Sequence, residues 1–148
     1  MSRRKSRILA FQGLYSWDVG GMSEEDILKL DWANSDNSET EDGDTPEKSN
    51  IPDEEAAFSR MLIAGTIENI SKIDETIKSH LKNWDFSRVN RVTIAILRMS
   101  VYSLLFSKDI DSSIIIDEAI DISKNYGPDD SYKFVNAILD NIKKQDLN

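Results

Sequence analysis

Apolar residues recur at intervals of three and four along most of this chain, the spacing of one face of an α-helix. From Ser2 onward Ile8, Phe11, Leu14 and Tyr15 share such a face, with Leu9, Ala10 and Trp17 beside it, and Gly20-Gly21 ends the run. Ser23 followed by Glu24, Glu25 and Asp26 supplies an N-cap and an acidic first turn for a second helix carrying Ile27, Leu28, Leu30 and Trp32. Asp53-Glu54-Glu55 opens a third, whose buried stripe is Phe58, Met61, Leu62 and Gly65, the glycine admitting a neighbouring helix at close range. A break near residues 69–72 leads into a helix with Ile73, Ile77, Leu81 and Trp84.

Ser87 is expected to cap the most apolar helix, in which Val92, Ile96, Met99 and Tyr102 repeat on one face while Ala95, Leu97, Val101, Leu104, Leu105 and Phe106 widen it. This is the expected centre of the core. Arg98 stands among those residues, so it either snorkels to the surface or pairs with a carboxylate. Ile114-Ile115-Ile116 alone would suit a short strand, but the following residues keep helical spacing and no second strand exists to pair with it. Tyr126-Gly127-Pro128 stops that helix, and Asp129 or Asp130 caps a last one with Phe134, Val135, Ile138, Leu139 and Ile142 on one side. The pattern predicts a single all-α domain spanning residues 1–148, a bundle of about seven helices.

Residues 34–52 break the pattern. They hold one large apolar side chain, Ile51, among acids, Ser, Thr and Asn, and cannot bury enough surface to offset their chain entropy. A mobile acidic loop between helices is expected there. Charge follows the same division: of a net −9, residues 1–17 contribute +4, residues 18–57 contribute −12 and residues 58–148 contribute −1. An acidic chain thus begins with a concentrated basic end, Arg3, Arg4, Lys5 and Arg7, which reads as a nucleic-acid handle or a solubilising terminus.

Composition removes many chemistries. The chain has no Cys, and its single histidine is His80, so a thiolate nucleophile, a cysteine-bound zinc or a histidine cluster has no material. No phosphate-binding glycine loop is present, no apolar run reaches the length of a membrane span, and the N-terminus lacks a signal-peptide pattern, which makes the cytoplasm the expected location and a membrane an unexpected partner. The carboxylates Asp117, Glu118 and Asp121 read as a solvated helix face, and Asp129 and Asp130 as a cap; no metal, cofactor or catalytic activity is expected. Recognition residues are present instead. Tyr15 and Trp17 follow the basic cluster on one helix, and Tyr132, Lys133 and Phe134 open the last, combining rings on which bases stack with cations that neutralise phosphates. Helical spacing equally allows Tyr15 and Phe134 to be core.

The run from Ile116 to Lys124, the block from Asp130 to Asp140, the core helix from Ile96 to Leu105 and the opening from Arg3 to Tyr15 together resemble the bacterial transcription antitermination factor NusB family. The resemblance covers residues 3–18 and about 58–142. It implies an all-helical fold of two packed halves and a non-catalytic adaptor that binds box A RNA with the small-subunit ribosomal protein NusE. That assembly joins RNA polymerase and suppresses termination on ribosomal RNA operons. By position it places RNA contacts at Arg3, Arg4, Lys5 and Arg7, and at Asp130, Ser131, Lys133 and Phe134, alongside the candidate Tyr15. The chain departs from the family with Asp117 for Asn, Ser123 for Ala, Ala137 for Gly, which suggests a wider helix contact, and Thr93 for a charged residue in the segment that meets the ribosomal protein. A second reading is a self-associating helical module, a homodimer among its forms, with only nonspecific RNA contact.

Overall fold

The computed structural model describes residues 3–33, 51–82 and 84–147; of the expected acidic loop only Ile51 and Pro52 fall among them. Among the described residues there are seven α-helices and no strand: α1 (Arg3–Asp18), α2 (Glu24–Leu28), α3 (Asp53–Glu68), α4 (Ile70–Ser79), α5 (Arg91–Phe106), α6 (Ser112–Tyr126) and α7 (Ser131–Asp146). α5 lies at the centre, touching α1, α3, α4, α6 and α7. Its composition explains the position, because Ile94, Ile96, Leu97 and Val101 point to different sides and all are fully buried. A helix that is apolar nearly all round must be surrounded.

Several element ends differ from the expected ones. Asn90 caps α5, its Oδ1 accepting from the N–H groups of Val92 at 2.9 Å and Thr93 at 3.2 Å. Ser87 sits three residues earlier in a short 3-10 turn, where Asp85 accepts from both its backbone N–H and its hydroxyl. Ser23 does cap α2, but that helix ends at Leu28; Leu30 turns to φ 59° and residues 31–33 form a 3-10 turn. α4 ends at Ser79, so Leu81 packs from a loop and Trp84 stands 62% exposed. Met61, expected in the buried stripe of α3, is 39% exposed.

Polar contacts inside the bundle fix how the helices meet. Arg98 pairs with a carboxylate: its Nε and Nη2 each lie 2.9 Å from Asp74 on α4. Asp18, at the end of α1, accepts from Arg91 at 2.6 and 2.8 Å and lies 3.5 Å from Arg98. One cluster of charges therefore joins α1, α4 and α5. Between α1 and α3 the Ser6 hydroxyl donates to the Glu55 carbonyl at 3.0 Å, and the Ser59 hydroxyl donates to the Ser6 carbonyl at 2.9 Å. Gly65 of α3 faces the ring of Tyr102, and a Cβ there would overlap it. His80 Nε2 lies 2.8 Å from Asp146, tying the loop after α4 to the end of α7.

Two departures from the family pattern are resolved by position. Thr93 is 2% exposed, so this side chain offers no surface to a partner. Ala137 is exposed on α7, where a methyl group widens no helix contact.

Candidate nucleic-acid interface

α1 carries the basic end, and its first two turns are not a loose cationic tail. The guanidinium of Arg3 lies 4.1 Å above the centre of the Phe58 ring, and that of Arg7 lies 5.5 Å from the same ring. Arg7 is only 6% exposed, and desolvation lowers its pKa from the ordinary arginine value. Arg4 reaches α6, where its Nε is 2.8 Å from Glu118 and its Nη2 is 2.8 Å from Asp121. The hydrogen bond to Glu118 is the main cause of a raised Arg4 pKa. Lys5 is exposed on the same turns. The carboxylates of α6, read from sequence as a plain solvated face, thus offset cations that would otherwise oppose the helix dipole.

The remaining α1 candidate, Tyr15, is 36% exposed. It lines a pocket of about 310 Å³ shared with Phe11, Gln12, Ser16, Trp32, Val92 and Tyr126. Phe11 and Tyr126 meet edge to face with ring centres 5.4 Å apart.

At the start of α7, Asp130 occupies the N-cap position in the left-handed conformation, φ 64°, and its side chain makes no cap hydrogen bond. The expected acidic residue thus stands at the cap without a capping bond from its side chain, which lies 3.7 Å from the Lys133 ammonium instead. The Ser131 hydroxyl is buried without a hydrogen-bond partner among the described residues, close against Gly127. Lys133 is exposed, and its ammonium lies 5.9 Å from the centre of the Tyr132 ring; Lys124 of α6 lies 4.9 Å from the same ring. Phe134 is half-buried and packs edge to face with Trp84 at 5.7 Å.

α6 relates the two groups. Its side chains meet those of α1 near its middle, through Glu118 with Arg4, and near its end, through Tyr126 with Phe11, so the two helices run in the same direction. The chain then turns at Gly127 into α7, so the Lys133 and Phe134 turn follows the end of α6 that meets Phe11 and Tyr15, not the part of α6 that meets the basic tip. Trp84 and Lys124 were not candidates from sequence. Nothing in the spacing of Trp84 separates it from a core tryptophan, while Lys124 in the last turn of α6 is a legible signal.

Among the described residues, no group of three or more histidine, aspartate or glutamate side chains is arranged to hold a metal ion, and no helix is long and apolar enough to cross a membrane.

Fold and site together define an all-helical bundle with one flank that carries cations and half-exposed rings. The chain belongs to the NusB family, whose family model matches residues 4–144. It is 48% identical to the transcription antitermination protein NusB of Treponema denticola over 145 residues, covering 98% of each chain. It is 38% identical to the Bacillus licheniformis protein of the same name, covering 97% of each. Among solved structures, T. maritima NusB superposes with a TM-score of 0.79 at 34% identity, covering 98% of this chain and 92% of that one. A structure of antitermination factors NusB and NusE in complex with double-stranded RNA matches with a TM-score of 0.77 at 25% identity, covering 97% and 98%.

Proposed function

We propose that this chain is a non-catalytic, cytoplasmic RNA-binding adaptor of transcription antitermination. With the small-subunit ribosomal protein NusE it binds box A RNA, and the complex joins RNA polymerase to promote read-through of ribosomal RNA operons. The observation that carries this reading is the helical flank on which Arg3, Arg4 and Lys5 precede the half-exposed ring of Tyr15, in a chain of the NusB family.

The division of labour follows from burial. Arg3, Arg4 and Lys5 neutralise phosphates, Arg4 presenting the guanidinium edge that Glu118 and Asp121 leave open. Arg7, set under the cluster against Phe58, supports Arg3 more than it meets solvent. Tyr15 and the turn of Asp130, Ser131, Lys133 and Phe134 meet unstacked bases and the adjoining phosphates. With so few cations, affinity for isolated RNA is modest and falls with salt.

Fluorescence anisotropy of a labelled box A RNA and a scrambled control, with and without the ribosomal partner, tests this. Tighter, sequence-dependent binding in the presence of the partner is expected. Equal weak binding to both RNAs under both conditions would overturn the adaptor reading in favour of a protein-only module.

A further inference from the structure

We infer that the pocket beside Tyr15 receives a single unstacked RNA base and that Gln12 reads the edge of that base. The inference rests on the RNA-adaptor reading and assigns roles to Gln12, Trp32 and Tyr126 within it.

The pocket has the right walls. Tyr15 and Tyr126 are 36% and 45% exposed, and Trp32 lines the same cavity with its indole oriented by a 2.9 Å hydrogen bond to the Ile27 carbonyl. Phe11 backs Tyr126 at an interplanar angle of 61°, which keeps that ring's position defined. Aromatic faces of this kind bind bases irrespective of sequence, because every base has a π-face. The volume, about 310 Å³, lies at the lower end of ligand sites, roughly 300–1,000 Å³, and suits one ring system with its sugar better than a stacked run.

The pocket also has an unused polar group. Gln12 is half-buried, and among the described residues its amide makes no hydrogen bond. A side-chain amide sets a donor beside an acceptor, the arrangement that pairs bidentately with a base edge. An apolar side chain from a protein partner would leave that amide unpaired on burial, at a cost. The cations point the same way. Gln12 follows Arg4 by eight residues of one helix, about 12 Å along its axis, so one strand spans phosphates at the tip and a base in the pocket.

The test uses the full chain and box A RNA carrying a single abasic site at each position in turn, read by anisotropy. One position is expected to dominate, its abasic form binding roughly 5- to 100-fold more weakly. In Gln12→Ala, with helicity checked by circular dichroism, affinity should no longer depend on base identity at that position, while the abasic penalty there largely persists. A flat abasic profile for the unaltered chain would overturn the pocket, as would unchanged base discrimination in Gln12→Ala. Failure of the unaltered chain to bind any RNA would instead remove the adaptor reading on which the inference stands.

Discussion

The Arg4 guanidinium is gripped by the Glu118 carboxylate across the α1–α6 contact, with Nε at 2.8 Å and Nη2 at 3.3 Å, and Asp121 closes a third bond at 2.8 Å. A cation proposed to bind phosphate is thereby shared with two acids of its own chain. Replacing Glu118 with Gln removes one of those charges and releases Arg4. RNA affinity at low salt should rise several-fold, with the slope of log K against log salt steeper by about one. A salt titration of both proteins checks this, and weaker binding by Glu118→Gln would show that aim matters more than free charge.

Arg7 and Lys5 should separate fold from binding. Arg7→Glu places an acid at a 6% exposed position against Phe58, next to the Ser6–Glu55 contact, and should destabilise the chain by about 3 kcal/mol. Lys5→Glu, at an exposed position, should leave the melting temperature nearly unchanged and weaken RNA binding. Thermal denaturation and anisotropy on the same samples distinguish the two.

The charge cluster at the core offers a sharper stability test. Asp74→Ala leaves Arg98, itself 6% exposed, without its main partner and should cost about 3 kcal/mol in urea unfolding. Replacing both, Arg98→Met with Asp74→Leu, should restore most of the loss, because a well-packed apolar pair substitutes for a buried ion pair.

Gly65→Ala improves intrinsic helix propensity by about 1 kcal/mol. The new methyl nevertheless overlaps the Tyr102 ring, which is stacked on Phe106 at 5.5 Å. A net destabilisation of about 1–2 kcal/mol is expected. Shortening the ring, Gly65→Ala with Tyr102→Leu, should recover stability relative to Tyr102→Leu alone.

Asp111 caps α6 by accepting from the Ser113 N–H at 2.9 Å, and this bond is the main cause of its lowered pKa. A carboxylate with a depressed folded-state pKa stabilises above its ordinary value of 3.8 and loses that contribution as pH falls through the folded value. Asp111→Ala should therefore melt below the unaltered chain near neutral pH, and the gap should close as the pH drops below 3.8. Melting curves across acid pH read this directly.

Helix identity and order were legible because periodicity depends on which residues share a face, and burial follows from that. α5 was recognisable as the centre from its apolar girth alone, whereas Arg98 allowed either snorkelling or pairing with a carboxylate, and only the packing of α4 beside it supplies Asp74. Helix ends were less legible, since local chemistry competes: Ser87 and Asn90 are both good caps, and only the engagement of Ser87 by Asp85 excludes it. Residues that act across elements were hidden for another reason. Glu118 and Asp121 look like any solvated pair until α1 is laid beside them, and Gln12 and Trp32 reach one pocket only through tertiary packing. Thr93 shows another limit: the resemblance set it in a segment that meets a partner, and only the packing shows that the helix turns its side chain inward.

The reciprocal hydroxyl-to-carbonyl exchange between Ser6 and the Glu55–Ser59 turn has a kinetic corollary. It fastens α1 to α3 one residue after Lys5, so the cationic end is already rigid before a polyanion arrives. An unstructured basic arm would have to be ordered on contact, with affinity lost to that ordering. On the proposed reading the RNA would meet a surface already folded onto the bundle, and the ordering left to be done would fall mainly on the strand.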